Sequence, residues 1–215
     1  MTDAGPVARA AELAALGHRS SLSSTDVARL EDASATDPDP RVRAAAIAAL
    51  VRAGSARARV AWEIAVGDSA PAVRRRAAEL APALGTPAPV DALLGLLADG
   101  DVTVVEAAAW AVGELGAAAV ARGAVAALGH TVDHHRDALA REAAVAALGA
   151  LGDPAALPVI LAACSDKPAV RRRAVLALAP FDGPEVDAAI ETALEDRDWQ
   201  VRQAAEDLRG EERYD

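Results

Sequence analysis

Apolar positions along this chain recur with the period of a helix rather than a strand. Val42, Ala46, Leu50 and Ala53 follow one another at steps of three and four, and so do Ala140, Ala144, Leu148 and Leu151. Shorter helices are predicted at about 24–35, 56–66, 88–98, 117–130, 154–164 and 184–194, with Val90, Leu93, Leu94 and Leu97 marking one buried face. An extra helix is predicted at roughly 6–16. Short acidic turns such as Asp37-Pro38-Asp39-Pro40 open the longer helices. There Asp caps free N–H groups and Pro is tolerated in the first turn. Gly54, Gly85, Gly116, Gly152 and, one residue late, Gly183 close them by accepting a left-handed backbone.

The pattern is a repeat. Pro40-Arg41-Val42-Arg43-Ala44-Ala45-Ala46, Pro71-Ala72-Val73-Arg74-Arg75-Arg76-Ala77 and Pro168-Ala169-Val170-Arg171-Arg172-Arg173-Ala174 are copies of one segment. Its Val position falls at Val42, Val73, Val104, Ala140, Val170 and Val201, with spacings of 31, 31, 36, 30 and 31. Each unit predicts two antiparallel helices. The boundaries are about 24–54, 55–85, 86–116, 117–152, 153–183 and 184–209, after a cap segment at 1–20 and before a charged tail at 210–215. The last helix, Asp196 to Leu208, carries more charge, as a terminal cap does.

Over about residues 24–209 the unit resembles a HEAT repeat of the short type shared with phycobilisome-lyase HEAT-like subunits. The resemblance implies one all-α domain, a right-handed α-solenoid of about six stacked helical hairpins. It also implies a ladder in which each turn Asp bonds the Arg after the repeat's Val. Asp37, Asp68, Asp99 and Asp196 match, as do Arg43, Arg74, Arg141, Arg171 and Arg202. His135 and Ser165 stand in place of Asp in two units and Val105 in place of Arg in another, so a break is expected mid-chain. The family's Val-Arg helices line a concave binding face.

Composition agrees with thin helical layers. Hydrophobic residues make up 53% and aromatics only 2%, and alanine, the best helix former, is the commonest residue. No apolar run is long enough to span a membrane, and residues 1–6 lack the basic and apolar regions of a secretory signal. Cys164 stands alone at the end of an apolar helix, where a buried, inert thiol is expected, and the cytoplasm is the expected compartment. The net charge of −10 disfavours nucleic acid as a partner.

Exposed positions on the Val-Arg helices give the candidate site. They read Arg75, Arg76 and Glu79, then Glu106, Trp110 and Glu114, then Glu142, then Arg172 and Arg173, then Gln203. The expected pattern is a basic patch, an acidic middle and a second basic patch. Trp110 is either an exposed anchor between Glu106 and Glu114 or packing between units. Trp62 is expected in the core, and Trp199 over the end of the stack.

A five-residue insertion brings His130, His134 and His135 together, but His130 and His134 share a helix face only if the helix runs through it. No metal or other cofactor is expected. The His-Glu pairs that hold iron in deoxyhypusine hydroxylase, a HEAT-like enzyme, are absent at the matching places, for example Arg141-Glu142 and Arg171-Arg172. No catalytic constellation is visible. The expected function is a non-catalytic scaffold or adaptor binding another protein through Trp110, Glu106, Glu114, Glu142, Arg75, Arg76, Arg172 and Arg173. The alternative implied by the resemblance is a lyase-type or accessory protein acting on a tetrapyrrole or a modified protein.

Overall fold

The computed structural model describes residues 5–211, and every regular element among them is helical. The first four residues of the cap segment, where the absent secretory signal was read, and the end of the tail lie outside that range. The chain divides into one unit through Ala111 and a second from Val112.

The first unit runs α1 (Pro6–Leu16), α2 (Ser24–Thr36), α3 (Pro40–Arg52), α4 (Ala58–Val66), α5 (Pro71–Leu80), α6 (Val90–Leu96) and most of α7 (Val102–Glu114). Helices α1, α3 and α5 pack in one row, with α2 and α4 beside them. Helix α3 shows why alanine dominates the composition. Ala46 through Val51 are all buried, because neighbours close on it from several sides. A Cβ on Gly17 would stand 2.7 Å from the Ala49 Cα, so only small residues permit this approach. Trp62 of α4 is buried as expected. Its Nε1 donates to the Ala77 carbonyl at 2.6 Å. The Ala81 amide bonds Ala78 rather than Ala77 as α5 ends, and the indole satisfies the carbonyl thus released.

The second unit holds α8 (Ala117–Val120), α9 (Ala124–His134), α10 (Ala138–Leu151), α11 (Leu157–Ala163), α12 (Pro168–Ala177), α13 (Pro184–Leu194) and α14 (Trp199–Glu211). Helices α10, α12 and α14 form one row, and α9 and α11 pack beside it. The predicted helix at 117–130 is split, because Gly123 adopts φ 84° and separates α8 from α9. Helix α9 then continues to His134, into the predicted insertion, and ends before His135, whose backbone is extended. The five glycines read as helix terminators all have positive φ.

The Asp–Arg ladder is present in both units. Arg43 donates from Nε and Nη2 to Asp68 at 2.7 Å each, while its Nη1 donates to the Asp37 carbonyl at 2.8 Å. Arg74 grips Asp99 in the same way, as Arg171 grips Asp196. Arg9 of α1 adds a rung to Asp37. Each guanidinium therefore ties its own turn to the next, and each carboxylate also caps its own turn, as Asp68 does at the Ala70 amide.

The break expected at Ser165 does not exist. Arg141 bonds Asp166 through both carboxylate oxygens, at 2.6 and 2.8 Å. In this rung, as in the other Val-Arg rungs, the acid lies 25 residues beyond its arginine, and that register selects Asp166. The Arg bonds hold Asp99, Asp166 and Asp196 below the usual carboxylate range. At Val105, which is buried, no guanidinium exists to make a rung.

Candidate functional site

Each unit has a groove that some of the candidate residues line: Arg75, Glu106 and Trp110 in the first and Arg173 in the second. In the first, α5 and α7 bound a groove of about 360 Å³ lined by Arg75, Glu79, Thr103, Glu106, Ala107 and Trp110. Val73 and Ala77 bury the other side of α5, and Val104 and Ala108 that of α7, so helical period turns these side chains outward. Trp110 is 49% exposed, which decides between anchor and packing in favour of an accessible indole. Glu106, one turn earlier, is exposed.

Arg75 Nε donates to Glu79 Oε1, and Arg76 Nη1 to Glu79 Oε2, both at 2.8 Å. Burial pulls the Glu79 carboxyl up, but these two bonds outweigh it and leave it lowered. The first basic patch is thus partly neutralised by its own helix.

In the second unit, α10 and α12 bound a groove of about 440 Å³, whose lining includes Ala146, Gly149, Ala150, Arg173, Leu176 and Pro180. Its floor is set by close approach, since a Cβ on Gly149 would stand 2.7 Å from the Ala177 Cα. Arg172 and Arg173 each reach Glu142 Oε1 from Nη2 at 3.4 Å, the long end of hydrogen bonding. The Arg173 Nε is buried with no acceptor.

Glu142 therefore belongs to the second basic patch and does not form a separate acidic middle. Glu114, in the second unit, is exposed. Gln203 is bonded to Asp207 on its own helix.

Leu176, 38% exposed in the second groove, is missing from the expected site. It lies six residues after its repeat's Val, the same position that yields Glu79 and Trp110, so the signal was there to read. Trp199, expected to cover the end of the stack, is 64% exposed at the start of α14. It occupies the first helical turn, where three of the other units carry Pro40, Pro71 and Pro168 and side chains project from the helix end. Cys164 is half-buried, and burial pushes its thiol up to about 11, so it is protonated and unreactive at neutral pH. Among the described residues, no group of three or more His, Cys, Asp or Glu side chains could hold a metal ion, and no helix is long and apolar enough to cross a membrane.

Comparison with known proteins places this geometry in a family. The HEAT-repeat family matches residues 59–134 and 125–209, and the chain belongs to it. No curated protein sequence matches significantly. Among solved structures, the chain is similar to YibA of E. coli, at 18% identity over 97% of this chain and 78% of that one, with a TM-score of 0.67. It is also similar to computationally designed armadillo repeat proteins for modular peptide recognition, at 16% identity, 93% and 98% coverage and a TM-score of 0.57. A third likeness is to the CpcE–CpcF complex of phycocyanin lyase from Nostoc sp. PCC7120, at 20% identity, 96% and 91% coverage and a TM-score of 0.55. At these identities the likeness concerns the fold, and function has to be argued from the site.

Proposed function

We propose that this protein is a non-catalytic adaptor that holds a polypeptide partner against the outward side chains of its Val-Arg helices. The observation that carries this reading is Trp110, half-exposed in a groove that already contains polar and charged side chains. An indole offers large contact area at little entropic cost, and such side chains dominate binding energy when a partner covers them.

The second groove supports the same reading with different chemistry. Leu176 and Ala146 supply apolar surface, while Arg172 and Arg173 share one distant carboxylate. A partner segment with an apolar side chain next to Asp or Glu would cover the first and complete the second. Modular peptide recognition has been designed onto an armadillo array of related fold, which is consistent with a polypeptide ligand. The cytoplasm suits a chain with one unpaired thiol and no disulfide.

The test is affinity capture from the native host with the parent protein, Trp110→Ala and the double variant Arg172→Glu/Arg173→Glu. One polypeptide should be retained by the parent and lost, by at least tenfold in abundance, from each variant at unchanged helical content. Retention of every captured polypeptide by both variants would contradict the assignment. Conversion of a tetrapyrrole or a modified protein by the parent, with no polypeptide stably retained, would support the lyase-type reading instead.

A further inference from the structure

Helix α9 runs unbroken from Ala124 to His134 and so carries two of the insertion's three histidines. His130 and His134 therefore stand one helical turn apart on the same face, both exposed, with ring centroids 4.3 Å apart and planes inclined by 20°. Helical i,i+4 spacing of two histidines is the arrangement that places two imidazoles on one metal ion. The turn carrying them is anchored, because Leu128, Gly129, Thr131 and Val132 are buried.

A second observation fixes the chemistry of one ring. His134 Nδ1 lies 3.1 Å from the His130 carbonyl oxygen. A carbonyl only accepts, so Nδ1 carries the proton and the lone pair of the neutral ring sits on Nε2. Donation of the far N–H to a backbone carbonyl is the support that metal-bound histidines commonly have. Two imidazole nitrogens on one ion lie roughly 3 Å apart. The rings are stacked as they stand, so chelation requires the two side chains to rotate until their ring-plane lone pairs converge on one ion, and both side chains are exposed and have room to do so.

His135 is committed elsewhere, since its Nδ1 accepts from the Asp137 amide at 3.1 Å. The remaining histidine, His18, lies near Arg52 in the first unit.

We propose that His130 and His134 chelate one divalent transition-metal ion of the class that prefers imidazole, such as zinc, nickel or copper. Two protein ligands leave the other coordination positions to water or to an incoming donor. Magnesium and calcium, which require oxygen ligands, are excluded by the chemistry of the pair.

The test is calorimetric titration of the full chain, purified without a polyhistidine tag, with zinc, nickel and copper chlorides in a non-coordinating buffer. Saturable binding of one ion per chain is expected for copper and at least one of the other two. His130→Gln or His134→Gln should each weaken it at least tenfold. His18→Gln and His135→Gln should leave it within twofold, and a hundredfold excess of magnesium should not compete. Circular dichroism of each variant checks that helical content is unchanged. The assignment is overturned if no saturable binding occurs, if either member of the pair can be replaced with less than a twofold change, or if magnesium competes.

Discussion

Two arginine triplets, Arg74-Arg75-Arg76 and Arg171-Arg172-Arg173, contain one residue type in two very different situations. The first arginine of each is held by both oxygens of an aspartate from the next repeat turn, with its side chain 18% exposed at Arg74 and 8% at Arg171. The next two are more open, Arg75 at 54% exposed and Arg172 at 36%. They share a glutamate, on their own helix for Arg75 and Arg76 and on the neighbouring α10 for Arg172 and Arg173. Position relative to the repeat's Val, not residue type, decides which arginine stabilises and which is available to a partner. A basic triplet is for this reason weak evidence of a nucleic-acid site.

The largest effect expected from breaking this contrast is at a ladder position. Arg74→Ala leaves Asp99, 7% exposed, without its partner and should cost about 3 kcal/mol in urea unfolding. Next is Gly149→Ala, which drives a methyl towards the Ala177 backbone and should cost roughly 1–3 kcal/mol.

The ladder also sets a pH dependence. Asp99, Asp166 and Asp196 are lowered when folded, chiefly by their arginine bonds. Their contribution is complete above the unfolded aspartate value of about 3.9 and is lost as pH falls through the lower folded values. The thermal midpoint should therefore fall between pH 5 and pH 2, and by less in Arg74→Ala, where Asp99 no longer has its partner.

The smallest expected effect is at Ser165. Because Asp166 already fills the rung, Ser165→Asp should change stability by no more than about 0.5 kcal/mol. A gain well beyond that would mean the register of 25 residues is not what selects the acid.

The repeat made most of the fold legible in the sequence. The terminating glycines, the acidic turns and the buried faces all follow from local backbone preference and helical period, which act within a few residues. The misread features depend on neighbours or on small shifts of register. Counted back from the repeat's Val, Asp166 stands one residue later than the turn acids of the other units and Ser165 takes their place, while the contact counts forward from the arginine of the preceding unit. The break at Gly123 was missed because apolar residues continue on both sides of it.

The grooves were only partly legible. Outward positions on each helix follow from periodicity, and Trp110 was found that way. That Glu142 reaches the arginines of α12 rather than standing as a separate acidic surface depends on the packing of α10 on α12, which no single helix encodes.

The most direct test of this division of roles is urea unfolding of Arg171→Ala and Arg172→Ala, measured side by side. Removal of Arg171 should cost about 3 kcal/mol, and removal of its neighbour Arg172 less than about 0.5 kcal/mol. Equal losses would contradict the account, because Arg172 would then be part of the scaffold and not a side chain held ready for a partner.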